Sequence, residues 1–388
     1  MSGLMDDRSV AQRILNHIDQ RSTDLADSSW REPIESYRSV ARFAAEKELV
    51  LRRTPTPFCP SAALAETGSY VAREAAGTPV LAVRGDDGQV RAFRNACRHR
   101  GTLLADGAGR EKAFVCRYHG WTYGLDGCLR HVPHESGFPG LDKVRRGLVP
   151  LATQEKHGVV FVTQDEPQVT TDLANLPGLI PANYRLVNTN ELEVPANWKI
   201  LAEGFLEGYH IRSTHRDTFY PRQFDNLNVI ETFGRNGRIA FPYRNINKLR
   251  PVPSADCAVE GMLTYVYHLF PNAFVATFPT NRALVVVEPQ SVGQTKLITF
   301  TLAPPSQGDA GLEKLENALG FVEAGAAEDR EMASAIQRGL ASGGNEHFEF
   351  GLFEGLIGHF HRNLHELIDG VHDGGSDASD RSTVSCSC

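Results

Sequence analysis

The chain lacks the basic excess of a general nucleic-acid binder. Its 40 Lys and Arg face 47 Asp and Glu, for a net charge of −7, whereas such binding needs a basic surface. It also lacks a disulfide framework. The seven cysteines are an odd number, scattered at 59, 97, 116, 128, 257, 386 and 388, so full pairing is impossible and a reducing compartment is expected. A clean membrane-length apolar run is missing. The longest uncharged stretch, 261–281, holds Pro271, Asn272 and Pro279 among β-formers and reads as two strands joined at Pro271–Asn272. Residues 1–8 have no basic stretch followed by an apolar core, so no secretory signal is expected. The protein is expected to be cytoplasmic, with neither membrane nor nucleic acid as a partner. No Gly-x-Gly-x-x-Gly follows a strand, so no flavin or nicotinamide site is recognisable.

What is present describes an ordinary globular chain, with 41% hydrophobic and 22% charged residues over 388 positions. That length predicts two domains. Residues 9–21 have helical spacing, with Val10, Ile14 and Ile18 on one face. From about 55 to 165, short β-rich runs alternate with turns such as Asp86-Asp87-Gly88, which reads as a small all-β module. A long helical segment is expected after Pro195, then antiparallel strands between 227 and 302 and helices over 311–340 and 348–369. The polar end, 372–388, is expected to be a disordered tail.

Two segments mix cysteine with histidine: Cys97-Arg-His99-Arg-Gly101 and Cys116-Arg-Tyr-His119-Gly120-Trp121. Each places one thiolate and one imidazole on a loop that continues into glycine. Four such ligands could close a structural zinc site, or the cysteines could hold one iron of a [2Fe–2S] cluster and the histidines the other. Zinc motifs group Cys with Cys and His with His, which favours iron and sulfur. Taken together, the segments resemble the Rieske signature of ring-hydroxylating oxygenase α subunits. The resemblance implies Cys97 and Cys116 on one iron and His99 and His119 on the other, with Trp121 and Tyr123 beside the cluster.

A second constellation lies in 197–215, Asn197-Trp198-Lys199 followed by Glu207, His210 and His215. Non-haem iron that activates O₂ takes two histidines and one carboxylate, leaving positions open. On an ideal helix, residues five apart diverge by about 140°, so both histidines could reach one ion only if the helix is distorted, with Ser213-Thr214 the expected place. The stretch resembles the same family's iron motif. That implies His210 and His215 as mononuclear iron ligands and Glu207 as the acid bridging electron transfer between subunits. The third ligand is expected in the acidic pair ahead of Gln337-Arg-Gly339, at Asp329, with Glu328 as the alternative.

The resemblance implies an α+β fold: a Rieske β-domain (55–166) and a helix-grip, START/Bet v 1-like catalytic domain with an antiparallel sheet (167–371). Residues 1–54 would be an N-terminal helical segment packing on the catalytic domain. A [2Fe–2S] cluster and a mononuclear Fe(II) would be the cofactors. A ferredoxin or a flavin-dependent NAD(P)H reductase would be the electron donor, O₂ the oxidant, and a homotrimer (or α3β3) the assembly. The implied function is a terminal oxygenase that mono- or dioxygenates an aromatic substrate. Glu207, where many ring dioxygenases have Asp, points to the alternative of a monooxygenase that demethylates or cleaves a choline-, carnitine- or betaine-type quaternary amine. A Rieske electron carrier without oxygenase activity is the non-enzyme alternative. His359, His361 and His365 are expected on a helix surface.

Overall fold

The computed structural model describes residues 3–166, 173–252, 258–305 and 309–370; the expected tail lies outside them. Two seven-stranded antiparallel sheets organise these residues. The first runs in the spatial order Thr56–Pro60, Val159–Thr163, Pro150–Lys156, Val90–Arg94, Thr78–Arg84, Ser69–Ala75, Gly107–Arg110. Beside it, Phe114–Val115, Thr122–Tyr123 and Leu129–His131 form a three-stranded sheet. Short strands and tight turns suit this module, because the loops between strands are what it presents.

The second sheet runs Arg185–Val194, Gln294–Ala303, Arg282–Ser291, Ala273–Thr277, Leu263–Leu269, Asn236–Pro242, Val229–Phe233. Its three strands within 236–277 are buried along their whole length, which happens only when both faces are covered. One face carries Ile239, Val266, Phe274, Val285 and Val287 against Trp198, Leu201, Ile357, Phe360 and Leu364 from the helices. The other carries Ala240, Tyr265, Tyr267 and Val275, and its core is shared with Val10 and Ile14 of the helix Asp7–Gln20. The same core continues into Phe58 and Val160 of the first sheet. Across that junction Arg73 pairs with Glu288 at 3.1 Å, both buried.

Three helical expectations change. The segment after Pro195 is two short helices, Trp198–Gly204 and Ile211–Thr214, so the break falls at 205–210 rather than at Ser213-Thr214. The last helix spans Gly355–Asp369, preceded by the strand His347–Phe350, which pairs with Trp30–Pro33. His361, expected on a surface, is buried at 1% exposure, while His359 and His365 are half-buried. His361 lies with Ile357, Leu364 and Ile368 at three- and four-residue spacing, which puts it on the apolar face. Among the described residues no helix is long and apolar enough to cross a membrane.

Candidate metal centres

The two Cys/His loops have the same backbone construction. Cys97 N–H donates to Thr102 O (2.9 Å) and Gly101 N–H to Cys97 O (2.8 Å). Cys116 N–H donates to Trp121 O (2.8 Å) and Gly120 N–H to Cys116 O (2.8 Å). Gly101 and Gly120 both turn the chain at positive φ, +79° and +72°, a conformation that side chains rarely adopt. Each cysteine therefore opens a tight turn that its glycine closes.

The cysteines point inward and are buried, His99 is half-buried, and His119 is exposed. The imidazole centroids of His99 and His119 lie 4.6 Å apart, and Trp121 stacks on His99 at 4.9 Å. Tyr123 Oη accepts the Arg98 N–H at 2.9 Å and lies 3.3 Å from Cys97 Sγ, towards which its own proton can point. Burial pushes the Cys116 thiol up, but the Tyr118 N–H, Cys97, the His119 N–H and Thr102 bring it below its ordinary value. His99 Nδ1 is buried without a hydrogen-bond partner. Two buried thiols and two imidazoles with such an orphaned nitrogen fit a [2Fe–2S] group with mixed ligation.

The second centre follows from how the helix Trp198–Gly204 begins and ends. Asn197 caps it, its side chain accepting the Lys199 N–H at 3.0 Å. Trp198 and Lys199, its first two residues, are buried, and both bond Glu46. After Gly204 the chain leaves the helix, and the Glu207 carboxylate accepts the N–H groups of Tyr209 and His210. His210 and His215 then flank a single turn of helix. The distortion that five-residue spacing requires is thus made by ending the helix, and the two Nε2 atoms come within 3.2 Å.

Asp329 arrives on the helix Asp309–Gly339. Gln337 Oε1 accepts the Asn197 N–H at 2.8 Å, which fixes the register of that helix against Trp198–Gly204. Asp329 Oδ1 lies 3.0 Å from His215 Nε2 and 3.4 Å from His210 Nε2. One ligand atom from each of the three residues falls within 4.8 Å of the others. Burial opposes charge on Asp329, but hydrogen bonds from the two imidazoles outweigh it and lower its carboxyl. Glu328 sits behind His215, accepting from Nδ1 at 2.8 Å and from Thr218 Oγ1 at 2.6 Å. Glu207 does the same for His210 Nδ1. Each imidazole therefore has a carboxylate on its outer nitrogen, and its Nε2 faces Asp329. Two imidazoles and one carboxylate oxygen fit a mononuclear iron with open positions.

A cavity of about 560 Å³ opens from this triad. Phe219, Phe241, Phe278 and Phe321 wall it, and Gly204 borders it with open space where a Cβ would stand. Gly325 is needed for closure, since a Cβ there would meet the Phe219 ring at 2.2 Å. Exposed Arg222 and Arg244 stand at the rim. The Arg222 guanidinium lies 4.0 Å over Phe321, and Arg244 bonds Tyr220 O at 3.1 Å. No ion pair joins either to a carboxylate among the described residues. No sequence pattern singled out these arginines, because their convergence depends on how the segment after His215 folds back over the sheet.

A two-iron cluster domain joined to a sheet that carries a two-histidine, one-carboxylate site defines a class of redox protein. The ring-hydroxylating α-subunit catalytic-domain family matches residues 181–370, and the Rieske [2Fe–2S] domain family matches 54–146. The chain belongs to the Rieske oxygenases: it is an oxidoreductase that incorporates oxygen, the terminal component of its system. Its cofactors are a [2Fe–2S] cluster and a mononuclear iron, which sets aside the structural zinc site and the bare electron carrier.

The carnitine monooxygenase oxygenase subunit of Acinetobacter baumannii is 28% identical over 340 residues, covering 82% of this chain and 87% of that one. Solved structures share the fold. A quaternary ammonium Rieske monooxygenase with L-carnitine superimposes with a TM-score of 0.74 at 22% identity, covering 94% and 99% of the two chains. Naphthalene 1,2-dioxygenase with indole bound gives 0.71 at 19% identity, covering 87% and 92%.

Proposed function

We propose that this oxygenase acts on a small substrate with an apolar body and an anionic end, an aromatic carboxylate being the fitting class. The carrying observation is the cavity beside the triad, with phenylalanine walls and two arginines at its rim. Aromatic walls take up an apolar ring, and guanidinium groups bind carboxylates bidentately. Apart from Glu207 and Asp329, no acidic side chain lines the cavity among the described residues.

In this reading His210, His215 and Asp329 hold the iron, and Cys97, Cys116, His99 and His119 hold the cluster. When bound, the cluster supplies electrons one at a time and the ferrous iron supplies O₂ activation. Glu207 and Glu328 keep the two imidazoles neutral at Nε2 and correctly turned. The phenylalanines exclude water from the substrate, and Arg222 and Arg244 set which end faces the triad. A ferredoxin or flavin-dependent reductase is the donor to the cluster. Glu207 is the bridge to a neighbouring subunit of a homotrimer.

The relatives favour a second reading, a quaternary-amine monooxygenase, and Glu207 agrees with it. A betaine-type substrate would place its carboxylate on the same arginines and its ammonium group on the phenylalanine faces. Oxygen uptake with donor and reductase, tested on benzoate, a trimethylammonium acid and choline, separates the readings. Coupled turnover of benzoate is expected. Replacing both Arg222 and Arg244 with methionine should raise its KM roughly 10–100-fold, the loss of one or two charge-assisted contacts. Turnover of choline with the same KM in both proteins would overturn the anionic-end assignment.

A further inference from the structure

His210 and Asp329 of the triad border a second cavity, of about 590 Å³, which Glu203, Glu323 and Glu354 also line. Glu203 is 7% exposed and plays no part in holding the two imidazoles. Its Oε1 accepts from Tyr37 Oη at 2.6 Å and lies 2.9 Å from His361 Nε2. The other nitrogen of that ring, Nδ1, lies 3.4 Å from Glu32 Oε2. Glu32, 1% exposed, is held by Trp30 Nε1 at 2.9 Å and by His365 Nε2 at 3.1 Å. His365 Nδ1 lies 3.0 Å from Asp369 Oδ2, which is at the surface. Arg42 approaches the same Nδ1 at 3.4 Å and pairs with Asp369 Oδ1 at 3.3 Å, so it holds the surface end of the line in place.

The order from solvent to cavity is therefore Asp369, His365, Glu32, His361, Glu203. Acid and imidazole alternate at every step, and each imidazole uses both nitrogens, one towards each neighbouring acid. That arrangement is costly to bury for packing alone, since ions of both signs lose their water. It is what proton hopping needs: a ring that takes a proton on one nitrogen can release one from the other. Phe350 stacks on His361 and Tyr37 packs against it, so the ring is held in place.

We infer that this line is a proton relay from solvent to the oxygen-activating cavity. The inference rests on the reading of His210, His215 and Asp329 as the oxygen-activating site. O₂ must take up two electrons and two protons as one oxygen atom is inserted and the other leaves as water. Without insertion, the same two electrons and two protons give hydrogen peroxide. The electrons come from the donor protein. The protons come from solvent through Asp369 and His365, and Glu203 releases them into the cavity that His210 and Asp329 border.

Glu203→Gln keeps an acceptor for Tyr37 and His361 but cannot pass a proton. His365→Gln breaks the line at its surface end, where a folding defect is least expected. Chemically reduced holoenzyme is mixed with O₂, with benzoate as the cavity probe, and reoxidation of the cluster is followed by stopped-flow absorbance in H₂O and D₂O. Both variants should slow on the order of tenfold or more with a larger solvent isotope effect. Added imidazole should restore His365→Gln, and Glu203→Asp should restore much of the rate. Iron content should match the parent protein, and rates are compared well below the melting temperature of each variant, since His365→Gln loses the bond to Glu32. Rates within twofold with the parent isotope effect would overturn the relay. So would a slowing that tracks loss of the mononuclear iron, which would make Glu203 a structural support. Failure of the site assignment shows separately: His210→Ala would then retain the mononuclear iron and the parent rate.

Discussion

Lys199 is the best place to test how the helix leading into the iron site is anchored. Its Nζ lies 2.7 and 2.9 Å from the two oxygens of Glu46, and both side chains are 1% exposed. Trp198 Nε1 donates to the same carboxylate at 2.9 Å. Lys199→Met removes the cation and leaves a buried carboxylate with Trp198 and, at 3.6 Å, Arg42. Breaking a buried pair from one side costs about 3–5 kcal/mol. The remaining Arg42 places the expected loss near the lower end, about 3 kcal/mol. For a domain of this size each kcal/mol moves Tm by about 2–4 °C, so a drop of roughly 6–12 °C is expected by calorimetry on iron-loaded protein. Glu46→Gln with Lys199→Met should recover about 2 kcal/mol, because no charge is then left buried while Trp198 keeps an acceptor. A single variant melting within about 2 °C of the parent would refute the claim that this pair anchors the helix.

Asp329→Ala should lose the mononuclear iron and keep both cluster irons, whereas Glu328→Gln should keep all the iron and weaken its binding about 10–100-fold; metal and labile-sulfide analysis distinguishes them. Tyr123→Phe removes a proton directed at Cys97 Sγ, so the cluster midpoint should fall. A difference of about 1 kcal/mol between oxidation states corresponds to about 40 mV for one electron, and a spectroelectrochemical titration reads it. Burial pushes the Glu32 carboxyl up, but hydrogen bonding from His365 and the charge on His361 outweigh it, holding it at about 2 against an ordinary 4.5. A lowered folded-state value means that the stabilisation is complete above about 4.5 and is lost as pH falls towards about 2. Glu32→Gln should therefore cost about 2–3 kcal/mol at pH 6 and much less at pH 2.5, measured by urea unfolding. His365 has the opposite sign: its hydrogen bond to Glu32 raises it, so its contribution is complete below 6.5 and is lost as pH rises through its folded value.

Much of the site was legible because its chemistry is local. A cysteine, a histidine two or three residues on and a glycine at the fourth position contain their own turn, and the twin hydrogen bonds at Gly101 and Gly120 show that the geometry is closed within five residues. The six strands between 229 and 303 were readable from β-rich runs and turns for the same reason. The helix after Pro195 ends earlier than its sequence suggests because Glu207 captures the backbone N–H groups that a continuous helix would need. The polarity of His361 suggests the surface, although its spacing puts it on the apolar face.

By itself, the sequence determined which residues can donate to iron and sulfur, since donor type and short-range spacing survive in any fold. Only the tertiary structure decided how distant groups share the work. Glu328 and Asp329 are adjacent acids with nothing in their neighbourhood to separate them. On a helix they point about 100° apart, and the register set between Gln337 and Asn197 turns Asp329 between the two imidazoles and Glu328 behind one of them. The partners of Lys199 and His361 likewise come from more than 150 residues away. A local pattern cannot encode which of many such acids will arrive, because that depends on the packing of whole helices against the sheet.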